Sequence, residues 1–359
     1  MQRKTALKKF DSIVKGFTKR DRIALIHDLD ADGVSSGAIT FNAVKLLRGN
    51  APDLVITQPF KTVELLPQTL KTLRQQKISK IIIVDFAADQ YPETLRKAER
   101  HVKQVLVIDH HKQYSKSTKK TFILKAQHIA RIDPSRYPAS KLAFDLFSRL
   151  IPLEKFSWVA SIGLLGDNQL QQWKKFILAA AKKHKSSVAE FEKVAGIISA
   201  VEVLEPRKLG GLLLLIANAS GPEKVLKSKF ARHSKRLERE SEKVLREFML
   251  KKEIFPVQEL VWFGFRAKHN IKSAVINSVS NGIYPDKTVI FVQDKGDGFV
   301  SFSARRQDFK VKANELLEKA VKGFRNAGAG CHIPAAAGRI MKKDLPEFKK
   351  RILKALEKQ

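Results

Sequence analysis

A chain of 359 residues with 43% hydrophobic side chains is long enough for two domains, each with its own core, and too apolar to be disordered. No run approaches 18 apolar residues, so no membrane span is expected; charge follows the opening Met1-Gln2-Arg3-Lys4, so no secretory signal is expected; and the single cysteine, Cys331, excludes an internal disulfide and fits a reducing cytoplasm. Lys plus Arg number 68 against 36 Asp plus Glu, and nucleic acid is the usual counter-charge for the resulting +32.

Residues 1 to about 20 read as a basic amphipathic helix with Phe10, Ile13, Val14 and Phe17 on one face. Alternation then begins. Short apolar runs at Ile23–Ile26, Asp53–Thr57, Ile81–Val84 and Val105–Ile108 predict strands. Helical spacing over Gly33–Leu47, Val63–Gln75 and Pro92–Arg100 predicts helices between them. Continuous apolar strands separated by helices predict an α/β fold: a parallel sheet covered on both faces. Residues 139 to 219 read as mostly helical, and 222 to 253 as one long exposed helix joining two domains. A smaller α/β unit follows. Its strands are expected at Glu259–Phe265, Val289–Val292 and Phe299–Ser303, with a turn at Asp294–Gly298 and helices at Ile271–Ser280, 311–323 and 342–357. The domain boundaries expected are 1–220, a connecting helix over 221–254, and 255–359.

Acids recur where these strands end. His27-Asp28-Leu29-Asp30-Ala31-Asp32-Gly33 follows the first run, Asp85 the third, and Asp109-His110-His111 the fourth; Asp167 lies in Gly166-Asp167-Asn168. Taken singly, each has an ordinary explanation: a calcium loop, a helix cap, a structural histidine pair. Together they place carboxylates at the carboxyl edge of an open sheet, where sites form. Like charges so gathered raise each other's pKa unless a cation intervenes. Carboxylates mixed with imidazole suit Mn²⁺ or Mg²⁺. A pair of such cations lowers the pKa of bound water and stabilises charge on a phosphoryl group.

With these motifs in place the chain resembles the DHH phosphoesterase superfamily, whose name is spelled by Asp109-His110-His111. The DxDADG form of Asp28 to Gly33 is similar to the first motif of RecJ-like members, particularly the archaeal type. The resemblance implies an N-terminal DHH domain and two divalent cations bridged by Asp85. Asp30 with Asp28 (or His27) would complete one, and Asp32, His110 and Asp167 the other. It gives His111 a place beside the scissile phosphate and Asp109 the task of orienting the histidine pair. Ser140, in Pro138-Ala139-Ser140, is expected to cap a helix or face substrate. The C-terminal part resembles the DHHA1 substrate-binding domain. Its Gly-Gly-His-x-x-Ala-Ala-Gly pattern is matched by Gly328 to Gly338, with Cys331 in place of a glycine and one extra residue after His332. Gly330, His332 and Gly338 would form a phosphate-binding loop ahead of a helix, and Ser303 and Arg305 would be further substrate contacts.

The implied activity is metal-dependent exonucleolytic hydrolysis of single-stranded DNA or RNA, with replication or repair proteins as partners. Lysines in 174–185 and basic residues in 224–236 would extend the track for the strand. Two rival classes share the motifs: a phosphodiesterase for short oligonucleotides or cyclic dinucleotides, and a non-catalytic replication scaffold. The surplus of positive charge weighs against the first, and the full set of acids against the second.

Overall fold

The computed structural model describes residues 2–58, 64–294 and 296–357, and in the strand at 328–332 it leaves out the side chains of Cys331 and His332. The expected start of a helix at Val63 and Lys295 of the expected turn lie outside the described residues. The chain forms two compact units, Met1–Ser234 and Lys235–Gln359.

The first unit opens with α1 (Arg3–Lys15). It continues through β1 (Ile23–His27), α2 (Ala31–Arg48), β2 (Leu54–Thr57), α3 (Pro67–Gln75), β3 (Lys80–Val84), α4 (Pro92–Glu99), β4 (Gln104–Asp109) and β5 (Thr121–Lys125). Five helices follow: α5 (Ala139–Ser148), α6 (Ser157–Gly166), α7 (Leu170–Lys183), α8 (Val188–Leu204) and α9 (Leu209–Asn218). All the strands pair in parallel, in the order β2-β1-β3-β4-β5. The two-residue period of a strand explains why the apolar runs are continuous. Leu25, Ile82, Val84, Leu106 and Ile108 enter one core with α1, α2, α5, α6, α8 and α9. Their neighbours Ala24, Ile26, Ile81, Ile83, Val105 and Val107 enter a second core with α3 and α4 on the opposite face. Because β2 and β3 flank β1 on opposite sides, the strand order reverses there. The crevice at the carboxyl ends of β1 and β3 is therefore the switch point at which open α/β sheets place their sites.

The expectation of one helix over 222–253 is corrected. Pro222–Leu226 (α10) and Ala231–Lys251 (α11) are separate helices, and the division between the units falls inside α11. The later part of α11 is not an exposed linker. Val244 and Phe248 are buried, and the Phe248 ring lies 5.4 Å from Phe263 and 5.3 Å from Phe291.

The second unit contains β6 (Glu253–Phe255), β7 (Leu260–Arg266), α12 (Lys272–Ser278), β8 (Thr288–Asp294), β9 (Phe299–Arg305), α13 (Ala313–Val321), β10 (Gly328–His332), β11 (Ala335–Met341) and α14 (Leu345–Leu356). Its sheet runs β10-β11-β9-β8-β7-β6, with only the β7–β8 pair parallel. Phe302, Ala304, Ile290 and Val292 share a core with Leu316 and Leu317 of α13 and Phe348 and Ile352 of α14.

Candidate metal centre

β1 ends at His27, and the chain turns at once into α2. Asp30 is the N-cap of that helix, its Oδ1 accepting the Gly33 N–H at 2.9 Å. Gly33 is required by crowding: a Cβ there would lie 2.7–2.8 Å from Asp28 atoms. Asp32, one turn position on, is buried and reaches α5, where Oδ2 accepts the Ala139 N–H at 2.6 Å and Oδ1 the Ser140 N–H at 3.0 Å. The first turn of α5 thus has a carboxylate cap from a distant element. Ser140 is neither the N-cap, which is Pro138, nor solvent-facing; it is wholly buried, and its hydroxyl points to the Ala160 carbonyl.

Asp85 follows β3 in the left-handed region, at φ 55°, a conformation costly for a non-glycine residue and concentrated at functional sites. Asp109 ends β4. One of its oxygens accepts from the His110 N–H (2.8 Å), the His111 N–H (3.3 Å) and the His111 ring Nδ1 (2.7 Å), and the other accepts from Lys125 Nζ at the end of β5. Asp167 caps the C-terminus of α6, which packs against α2 so closely that a Cβ on Gly163 would lie 2.6 Å from Asp32 Oδ1.

These elements bring three sets of ligand atoms together, each set lying within 4.8 Å: Asp28, Asp30 and Asp85; Asp32, His110 and Asp167; and Asp85, His110 and His111. Asp85 is common to the first and third, and His110 to the second and third. His110 Nε2 stands 3.4 Å from Asp85 Oδ1 and 3.6 Å from Asp167 Oδ2. His27, the alternative to Asp28, is occupied otherwise. Its ring nitrogens lie 2.7 Å from the Asp28 carbonyl and 3.0 Å from the Thr57 hydroxyl, and burial lowers its pKa to about 4.

The electrostatics separate two kinds of acid. Burial, aided by Asp32, Asp30, Asp167 and Asp28, pushes the Asp85 carboxyl well above the carboxylate range; burial and neighbouring acids do the same to Asp167, and burial raises Asp32. Asp109 is equally buried, but His111 and Lys125 outweigh burial and hold it far below that range. Burial pulls His111 downward while Asp109 pulls harder upward, so its pKa rises; that of His110 falls with burial. Asp85 Oδ1 and His110 Nδ1 are buried and meet no hydrogen-bond partner among the described residues. Buried polar atoms rarely go unsatisfied. Hard carboxylate oxygens that burial and mutual repulsion keep from ionising unaided, with one or two imidazoles beside them and buried atoms without partners, fit divalent cations of the Mn²⁺ or Mg²⁺ type.

Sequence reasoning missed Lys125 and Asp89. Lys125 is wholly buried, and its ammonium also binds Asp89 Oδ1 at 2.8 Å, while Asp89 Oδ2 accepts the Tyr114 and Ser115 N–H groups at 2.7 and 3.3 Å. The available signal was a lysine closing the apolar run Phe122-Ile123-Leu124.

In the second unit, β9 places Ser303 and Arg305 on the face opposite Phe302 and Ala304. Register puts Ser303 in line with Ala337 and Gly330, and Arg305 in line with Ala335 and His332. Arg305 Nε donates to Asn277 Oδ1 of α12 at 2.9 Å. The His332 side chain lies outside the described residues. The glycine-rich loop leading into a helix is corrected: 328–341 is the antiparallel hairpin β10–β11, with Ile333 and Pro334 at its turn, and Gly338 opens no helix. A Cβ at Gly338 would lie 2.3 Å from the Gly328 carbonyl and 2.6 Å from the Phe302 ring, so glycine here serves strand packing.

The profile of the DHH family N-terminal domain matches residues 22–164, spanning all the acids above but Asp167, and the DHHA1 domain profile matches 259–358. The chain belongs to the DHH family. Among solved structures, this DHH-family chain is similar to RecJ from Thermus thermophilus in complex with Mn²⁺, at 21% identity and a TM-score of 0.73, covering 99% of this chain but 55% of that one. A manganese-bound exonuclease RecJ matches at 19% identity and a TM-score of 0.70, covering 99% and 95%. A DHH domain described as a member of the s1p family of ribosomal proteins matches at 16% identity and 0.75, covering 99% and 90%. At such identities the likeness is one of fold. The chain spans about half the length of the Thermus RecJ. No curated protein matches it. Among the described residues, no helix is long and apolar enough to cross a membrane.

Proposed function

We propose that this DHH-family chain is a divalent-cation-dependent phosphodiesterase that digests single-stranded nucleic acid from an end, in replication or repair. The observation that carries the reading is the meeting of three ligand sets at Asp85 and His110 on the carboxyl edge of the sheet, in a chain of net charge +32. Asp28, Asp30 and Asp85 would hold one cation and Asp32, His110 and Asp167 the other; bound there, the pair would supply an acidified water and charge neutralisation at the phosphoryl group. The remaining steps belong to the protein. Asp109, fixed by Lys125, holds His111 through Nδ1 and leaves Nε2 to donate a hydrogen bond to a phosphoryl or leaving oxygen. The same contact raises the His111 pKa and so favours its donor form. Arg305 and Ser303 are the substrate contacts proposed in the second unit, with the Gly330 and His332 row beside them.

The test is digestion of end-labelled single strands of DNA and of RNA, with label at either end, in Mn²⁺ or Mg²⁺. Stepwise products that vanish in Asp85→Asn are expected. A dinucleotide is run alongside: preference for it over a long strand would move the assignment to a small-substrate phosphodiesterase. No turnover together with no Mn²⁺ binding would move it to a scaffold.

A further inference from the structure

Immediately after the DHH triplet the chain forms a pocket of about 680 Å³ lined by Gln113, Tyr114, Ser115, Lys116, Ser117 and His128. None of these belongs to the three ligand sets. The wall is built. Asp89 receives the backbone N–H groups of Tyr114 and Ser115, and its other oxygen is tied to buried Lys125. His128 Nδ1 accepts the Lys125 backbone N–H at 3.1 Å, which leaves Nε2 to donate to Gln113 Oε1 at 3.0 Å; the Gln113 amide then donates to the Ser115 carbonyl at 2.8 Å. Within this frame the Tyr114 ring remains half exposed, with the Lys112 ammonium 5.7 Å from its centroid. From His110 to Ile132 the sequence contains no acid but six Lys and Arg residues: Lys112, Lys116, Lys119, Lys120, Lys125 and Arg131.

We infer that the 112–117 segment and His128 form a nucleotide subsite, in which a base stacks on Tyr114 and the flanking phosphates meet Lys112 and Lys116. The inference rests on the nucleic-acid reading above. An exposed aromatic ring beside cations is the arrangement by which single strands are gripped without sequence preference: the ring takes the base face and the ammonium groups take the backbone. Ser115, Ser117 and the oriented Gln113 amide line the pocket beside the ring and offer polar groups to a sugar edge. Chain continuity places the pocket beside the reaction centre. His111 is only three residues from Tyr114, and the bonded path Ser115–Asp89–Lys125–Asp109–His111 joins the pocket wall to the histidine. A strand whose phosphodiester lies at His111 therefore has an adjoining nucleotide within reach of Tyr114.

The test uses the full chain and single strands carrying 2-aminopurine at successive positions, read by fluorescence in Ca²⁺ and by turnover in Mn²⁺. The wild type should quench one position near the processed end. Tyr114→Ala should restore that signal and raise the strand KM by at least about fivefold, with kcat little changed. Tyr114→Phe should behave as wild type, and hydrolysis of bis-p-nitrophenyl phosphate, which has no base, should be equal in all three. Tyr114 is exposed, so Tyr114→Ala should fold, and its melting curve verifies this. Equal quenching and equal strand KM in wild type and Tyr114→Ala would overturn the subsite. A wild type that binds and quenches strands but never cleaves them would overturn the hydrolase assignment and leave the subsite standing. A wild type that binds no strand would overturn the subsite and the single-strand reading on which it rests.

Discussion

Asp85 carries conflicting demands. Its backbone is held at φ 55°, its carboxyl is buried, and four further aspartates press on it. Asn is the substitution that separates charge from shape, because it tolerates the left-handed region and is nearly isosteric. Asp85→Asn should therefore abolish Mn²⁺-dependent turnover while raising the melting temperature in EDTA by a few degrees, since it removes the repulsion among the acids. A turnover assay in Mn²⁺ checks the first half and calorimetry in EDTA the second; a variant less stable in EDTA than wild type would show that the cluster is not under repulsion. Lys125 presents the opposite case. It is the wholly buried cation between Asp89 and Asp109, and Lys125→Met leaves those carboxylates without it, at a cost of about 3–5 kcal/mol in denaturant unfolding. Adding Asp89→Asn should recover part of that loss, because it removes one of the two carboxylate charges left without the lysine. The aspartates and histidines of the site were legible because each follows a recognisable apolar run. Lys125 and Asp89 were not, because a buried ion pair between elements has no local pattern, and the left-handed Asp85 leaves no trace in composition.

At the scale of elements, the first sheet was readable because both faces are covered, which makes each strand a continuous apolar word. β5 escaped because only Phe122-Ile123-Leu124 separates polar residues, and β10–β11 because Gly328-Ala329-Gly330 and Ala335-Ala336-Ala337-Gly338 read as a loop. Small residues serve there to let strands pack closely on Phe302 and on each other. The same device governs the metal centre. α6 carries Asp167 and touches α2 and α5 at Gly163, where an added Cβ would lie 2.2 Å from Ser140 Oγ and 2.6 Å from Asp32 Oδ1. Neither neighbour can yield freely, since Asp32 caps α5 and Ser140 is wholly buried. Gly163→Ala should cost about 1–3 kcal/mol of stability by overpacking. It should also weaken Mn²⁺ binding by displacing Asp167 from Asp32 and His110, measurable by titration calorimetry. An alanine variant with unchanged Mn²⁺ affinity would mean that α6 adjusts without moving Asp167.

For the whole molecule, the raised acids couple folding to pH and to cations together. Asp85, Asp167 and Asp32 titrate in the folded chain above their unfolded values. Without metal the folded state then binds more protons than the unfolded state between those values, so stability falls as pH rises through that window. Asp109, held below its unfolded value, works in the opposite sense: its contribution is complete above the unfolded pKa and is lost only as pH falls through the folded one. Absolute stability therefore mixes the two trends, but the difference between cation-loaded and cation-free protein isolates the first. A divalent ion needs the carboxylates deprotonated, and ligand that binds only the folded state raises its stability by mass action. The gain in melting temperature on adding Mn²⁺ should thus be small near pH 5 and large near pH 7.5, and most of it should disappear in Asp85→Asn. A gain independent of pH, or one retained in full by Asp85→Asn, would place the cation on the exposed acids of the surface and not at the sheet edge.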